Sequence, residues 1–241
     1  MTRAEQIAAN LREVNDRIDA ALMARHRSSE TLCLLAVSKT VSPEDIVAAL
    51  AAGQLDFAES YGQEFRDKHA AVAKLVAATP GLPSPRWHFI GPLQTNKVKY
   101  VAGKVVLIHS VGSPQLLAEI ERRAAALDGT QDCLIQVNVA GETQKSGIAP
   151  ADLPAVLGSF AQYEHVRCTG LMVIPPYDQD PQLSRPHFAA LRRLRDEHCK
   201  QVRPNVVLTN LSMGMSHDLE VAIAEGATII RVGTAIFGAR T

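Results

Sequence analysis

Short apolar runs and amphipathic stretches alternate along almost the whole chain. Leu32-Cys33-Leu34-Leu35-Ala36-Val37-Ser38 is the first run, and the pattern predicts strands near 32–38, 56–60, 87–91, 105–109, 133–139, 166–173, 206–211 and 228–233. Ala/Leu/Arg-rich stretches between them predict helices near 43–52, 62–78, 94–101, 113–126, 150–161, 184–201 and 216–224. Ahead of the first strand, Ile7, Leu11, Val14, Ile18 and Leu22 recur at helical spacing and mark an N-terminal helix over about 3–25. Gly53, Gly81 and Gly226 fall just past helical stretches, while Ser42-Pro43 and Ser113-Pro114 combine an N-cap with proline in the first turn.

Strand and helix in strict alternation signal a parallel sheet. Repeated eight times and closed on itself, the unit makes a (β/α)8 barrel, here a single domain of about 32–238 behind the N-terminal helix. An open, doubly wound sheet is the alternative, but the glycine-rich dinucleotide fingerprint is missing.

Composition narrows the partners. The 241 residues carry 25 Lys plus Arg against 25 Asp plus Glu, so no net field draws in nucleic acid or an anionic membrane, and a small molecule is expected instead. The N-terminal residues lack the apolar core of a signal peptide, and no apolar run reaches membrane-spanning length. Cys33, Cys133, Cys168 and Cys199 form no CxxC pair, and the first three lie in strand-like runs, as expected of reduced cysteines in a cytoplasmic protein. The histidines make no HExxH and no tight His/Cys cluster, so a metal centre is not expected. The apolar face of the first helix either covers the barrel base in a monomer, the expected state, or contributes to a dimer.

Lys39 is the most informative residue. An aliphatic strand that ends in a lone lysine puts an amine at the rim of a buried sheet, where desolvation favours the neutral, nucleophilic form suited to a Schiff base. In such barrels the active face is the C-terminal end of the strands, and a phosphate site often lies after strands seven and eight. Two loops suit that place. Ser212-Met213-Gly214-Met215-Ser216 permits close backbone approach, with Ser216 positioned to cap a helix, and Arg231-Val232-Gly233-Thr234 adds a guanidinium and a hydroxyl. Closure makes these loops neighbours of Lys39. A ligand with a phosphate at one end and an aldehyde at the other fits, pyridoxal 5'-phosphate (PLP) above all. Met172 is placed at the barrel mouth, His88 as a packed or hydrogen-bonded barrel residue, and Gln136 with Asn138 on one strand face as a polar layer.

Long segments of the chain resemble the pyridoxal phosphate homeostasis protein family. They are Leu35-Ala36-Val37-Ser38-Lys39-Thr40, Trp87-His88-Phe89-Ile90-Gly91-Pro92-Leu93-Gln94-Thr95-Asn96-Lys97, Lys145-Ser146-Gly147, Gly170-Leu171-Met172, Leu211-Ser212-Met213-Gly214-Met215-Ser216 and Arg231-Val232-Gly233-Thr234-Ala235-Ile236-Phe237-Gly238. The resemblance implies a barrel similar to that of alanine racemase, with PLP held as a Schiff base on Lys39. It also implies a carrying or buffering role without turnover, with PLP-dependent apo-enzymes as recipients. Ser212, Met213, Gly214, Gly233 and Thr234 correspond to the phosphate side. Arg231 resembles the arginine that approaches the pyridine nitrogen in related barrels, a salt bridge to phosphate being the alternative. An arginine there would leave the ring nitrogen without a proton and make it a poorer electron sink. Racemization would further need a second acid/base on the opposite face. In alanine racemase a partner subunit docked through an extra domain brings it, and here the chain ends at Thr241. An amino-acid racemase of the same fold is the alternative function, and a lysine-dependent aldolase for sugar phosphates is a more distant one. The chain departs from the family's usual Glu-Asn-Tyr at Glu59-Ser60-Tyr61, which makes Ser60 the candidate for the ring contact, and carries His217 before Asp218 where an acidic residue is common.

Overall fold

The structure is a computed structural model that describes residues 1–25, 32–142 and 146–239. Lys145 of the Lys145-Ser146-Gly147 segment and the terminal Arg240-Thr241 lie outside them. Among the described residues eight strands form a closed parallel barrel in sequence order: β1 (Cys33–Val37), β2 (Asp56–Glu59), β3 (Arg86–Phe89), β4 (Leu107–Val111), β5 (Gln131–Gln136), β6 (Val166–Met172), β7 (Val206–Ser212) and β8 (Ile229–Val232). Closure runs through β1 and β8, with Cys33 opposite Ile229, Leu35 opposite Arg231 and Ala36 opposite Val232. The open-sheet alternative is thereby excluded.

The helices are α1 (Arg3–Ala24), α2 (Pro43–Ala51), α3 (Gly62–Ala77), α4 (Val98–Val101), α5 (Pro114–Ala125), α6 (Leu153–Ser159), α7 (Arg185–His198), α8 (Leu219–Ala224) and α9 (Thr234–Phe237). Ser42 and Ser113 cap α2 and α5 by accepting from Asp45 N–H (3.1 Å) and Leu116 N–H (3.2 Å). The predicted helix over 94–101 divides into a 3-10 turn, Thr95–Lys97, and the single turn α4, because Thr95 and Asn96 are poor helix formers and Gly103 turns back at φ +74°. Proline resets the two later helices in the same way: Pro150–Asp152 precedes α6, and Pro181–Ser184 precedes α7, each as a 3-10 turn.

Two apolar layers hold the barrel. The larger lies between sheet and helices and includes Phe57, Phe65, Phe89, Phe160 and Phe188, all fully buried. The smaller fills the barrel with Leu35, Val37, Ala58, Leu107, Leu134, Met172 and Ile229. Cys133 and Cys168 are buried within the first layer, and the described cysteines are all free thiols.

Three expectations need correction. Ser216 does not cap α8, which begins only at Leu219: Asp218 Oδ1 accepts the Met215 N–H (2.6 Å) and its Oδ2 accepts from Ser184 (3.0 Å), so 216–218 stay in a turn. The first helix does not cover the barrel base. Its buried face, Ile7, Leu11, Val14 and Ile18, packs on the flank against α2, α8 and α9, across the β1/β8 closure. Asn138 lies past the end of β5, where its Nδ2 donates to Glu142 O (2.7 Å), so it shapes a loop rather than a layer shared with Gln136.

Candidate cofactor site

The Ala36–Val232 register carries β1 and β8 out of the barrel side by side, so that Lys39 emerges beside Gly233 and Thr234. Between them is a cleft of about 250 Å³ walled by Lys39, Ser42, Asp45, Gly233, Thr234 and Phe237, among others. Of the residues singled out from the sequence, the structure brings Lys39, Gly233 and Thr234 together here.

Lys39 is half-buried and stands second in a four-residue turn closed by Val41 N–H to Ser38 O at 2.9 Å. Its successor Thr40 has φ +64°, a left-handed conformation that a β-branched residue adopts at a cost of about 1–2 kcal/mol. Three charged side chains clamp the turn. Lys68 Nζ on α3 donates to Ser38 O (2.6 Å), Glu59 Oε1 (2.8 Å) and Glu64 Oε1 (2.7 Å). The same Glu64 oxygen accepts the Thr40 N–H (2.6 Å), and the Ser38 hydroxyl donates to Glu59 Oε1 (2.7 Å). Burial pushes the fully enclosed Glu59 carboxyl above its ordinary range, against the pull of the Lys68 ammonium. Sequence reasoning missed Lys68 and Glu64, and met Glu59 only as part of the Glu59-Ser60-Tyr61 segment, without a role. The Glu64/Lys68 spacing of one helical turn was a visible signal, but its target was not.

Arg231, Ser212 and Met172 form the inner layer at the C-terminal ends of β6–β8, where Met172 pairs with Ser212 and is fully buried. The Arg231 guanidinium donates to Ser212 Oγ (2.7 Å) and Val173 O (2.9 Å), and burial pushes it down to about 10. The Ser212 hydroxyl is also within 2.9 Å of His109 Nδ1, so it belongs to the barrel interior rather than to the rim formed by Gly233 and Thr234. Met213 places its side chain in the sheet–helix layer, and its N–H donates to Ile229 O (3.1 Å). Gly214, at φ +92°, has no room for a side chain, since a Cβ would lie 2.5 Å from Ala222 Cβ. Ser60 is buried behind β2, where Gly91 passes so closely that a Cβ there would fall 2.0 Å from Ser60 O. His217 is partly covered by the Tyr177 ring, centroids 4.9 Å apart.

The donor set fits a phosphorylated aldehyde. Lys39 supplies an amine, Thr234 and Ser42 supply hydroxyls, and the Thr234 and Ala235 N–H groups open α9 ahead of the Ile236 and Phe237 N–H groups, which bind Gly233 O. Asp45 at the edge is matched by Arg3 at 2.7 Å, and Gly233 keeps the wall free of a side chain.

A barrel with a lysine after its first strand and a small-residue rim after its last defines a class of proteins, and the family described as "Alanine racemase, N-terminal domain" matches residues 3–241. A relative from Aquifex aeolicus named pyridoxal phosphate homeostasis protein is 46% identical over 230 residues, covering 95% of this chain and 96% of the relative. Another of that name from Pseudomonas aeruginosa is 43% identical over 235 residues, covering 97% and 96%. The solved structure of PipY from Synechococcus elongatus, with PLP bound, superposes with a TM-score of 0.82 at 36% identity, covering 97% of this chain and 100% of that one. The chain belongs to the pyridoxal phosphate homeostasis protein family.

Proposed function

We propose that this protein holds pyridoxal 5'-phosphate reversibly as a Schiff base on Lys39 and carries or buffers the cofactor for PLP-dependent apo-enzymes in the cytoplasm. The observation that carries the reading is the Lys39 turn, strained at Thr40, clamped by Lys68 and opening on the Gly233–Thr234 cleft. When bound, the cofactor supplies an aldehyde for the lysine and a phosphate for the rim. Thr234, Gly233 and the backbone around Met213 and Gly214 form the phosphate side. Met172 and Ser60 border the ring. Arg231, enclosed in the barrel apart from the cleft rim, addresses the ring nitrogen. The barrel acts as a single domain and a monomer, its α1 apolar face being covered within the chain. Among the described residues no helix is long and apolar enough to cross a membrane.

The test is spectroscopic. Protein reconstituted with PLP should show a visible absorption band that is absent in Lys39→Ala, and single-enantiomer amino acids should show no α-proton exchange above that given by free PLP. A colourless wild-type protein overturns the binding reading, and Lys39-dependent exchange replaces the carrier with a racemase.

A further inference from the structure

A chain of buried polar side chains crosses the barrel from its lower mouth to Arg231. Asp56 stands at the start of β2, where Oδ2 pairs with the Arg86 guanidinium and Oδ1 lies 3.2 Å from His88 Nε2. His88 Nδ1 is 3.0 Å from His109 Nε2, His109 Nδ1 is 2.9 Å from Ser212 Oγ, and Arg231 Nη1 donates to that oxygen at 2.7 Å. None of the four inner groups is more than 5% exposed.

Donor counting gives the chain one direction. Arginine has only donors, so Ser212 Oγ accepts from Arg231 and its single O–H goes to His109 Nδ1. His109 then carries its proton on Nε2 and donates to His88 Nδ1, and His88 carries its own on Nε2 and donates to Asp56. The reverse order would leave the serine hydroxyl receiving two donors with no partner for its own hydrogen. It would also require an imidazolium at His88 in a barrel that already encloses Arg231. Burial, with His88 and Arg231 nearby, holds His109 well below its ordinary range and therefore neutral. Asp218 is a carboxylate whose charge reaches Arg231 through space, but its oxygens are engaged by Met215 N–H and Ser184, so it makes no hydrogen bond of its own to the guanidinium.

We infer that Asp56, His88, His109 and Ser212 are positioning residues: a one-way hydrogen-bond chain delivers the Asp56 countercharge to Arg231 and fixes the guanidinium toward the ring nitrogen of the bound cofactor. The inference rests on the PLP-binding reading above and extends it, since it explains how a full cation is kept in the barrel core without a carboxylate in contact. A chain whose every hydrogen points toward Asp56 leaves Arg231 no acceptor role, so the ring nitrogen meets a donor and stays unprotonated. The site then holds its ligand while withdrawing few electrons from it.

Two measurements test this, and the first needs no cofactor. Side-chain nitrogen-15 NMR of the wild-type protein without PLP should show His88 and His109 both neutral with the proton on Nε2. A proton on Nδ1 of either ring overturns the chain. The second uses PLP labelled with nitrogen-15 in its ring. Asp56→Asn, with its amide oxygen toward His88, keeps an acceptor for that ring while removing the charge and the Arg86 ion pair, so it should shift the ring-nitrogen resonance and the visible band, with undiminished hydride-trapped label on Lys39. Asp56→Glu should restore both signals. A ring resonance and band identical to wild type in Asp56→Asn would overturn the inference while leaving cofactor binding intact, whereas loss of label from wild-type Lys39 would instead refute the binding reading.

Discussion

Lys68 is the residue on which the Lys39 turn leans. Its ammonium, on a side chain 6% exposed, satisfies one backbone carbonyl and the Glu59 and Glu64 carboxylates. Lys68→Met would leave the Glu59 carboxylate enclosed and unpaired. Breaking a buried pair from one side costs about 3–5 kcal/mol, and urea unfolding should show a loss of that size. Glycine positions give a sharper contrast. At Gly214 alanine meets both a left-handed backbone, worth about 1–2 kcal/mol, and the Ala222 contact, so Gly214→Ala should destabilise by at least that much. Gly158 on α6 leaves open space where a methyl group would stand, with nothing within 4 Å, and Gly158→Ala should stabilise by about 0.5–1 kcal/mol in the same assay. Lys39 by itself reads equally well as a strand-end lysine snorkelling to solvent, and it was the two loops after the last strands that marked it as a candidate; the structure places it beside Gly233 and Thr234. His88 was legible as a packed or hydrogen-bonded barrel residue, but its partners Asp56 and His109 were not: they lie 32 and 21 positions away, and only the barrel's closure brings the three side chains into line.

At the scale of elements the chain declares itself through its punctuation. Ser42 and Ser113 cap, Pro43 and Pro114 enter the first turn, and Gly53, Gly81 and Gly226 turn back at φ +97°, +82° and +98°. Ser113→Ala removes the acceptor for Leu116 N–H and should cost about 1 kcal/mol with an unchanged urea m-value, since neither the barrel nor the exposed area changes. The misread elements failed where local signals conflict with tertiary ones. Ser216 has the right chemistry for a cap, but its hydroxyl accepts from Thr234 (3.3 Å), and Asp218, held by Ser184 from the neighbouring segment, stands at the N-cap position instead. The apolar stripe of α1 was plain in the sequence. Its destination was not, because that depends on the seam between β1 and β8, which leaves α2, α8 and α9 as a ready surface. Within the candidate site, Gly233 and Thr234 could be placed from strand order alone. Ser212 could not be separated from them until the structure put its hydroxyl between His109 and Arg231.

For the whole molecule, the buried chain gives acid stability a particular shape. His109 is neutral in the fold and held well below 6.5, whereas the unfolded chain takes up that proton as pH falls through about 6.5. Its contribution is therefore complete above that pH and is lost on acidification. Burial alone would raise the Asp56 carboxyl, but hydrogen bonds from His88 and Arg86 outweigh it and hold it below 3.8, so its contribution is lost later, as pH falls below that value. Glu59, raised above 4.5 by burial, acts with the opposite sign, its contribution declining as pH rises past that point. Thermal unfolding followed from pH 8 downward should show stability starting to fall near 6.5, and His109→Gln should flatten this first decline. The account as a whole depends on a single covalent attachment. Reconstitution with PLP, reduction with borohydride and peptide mass mapping test it most directly: a pyridoxyl phosphate tag on the peptide containing Lys39, and its loss in Lys39→Ala, is the predicted result, while a tag on another residue, or none, would contradict it.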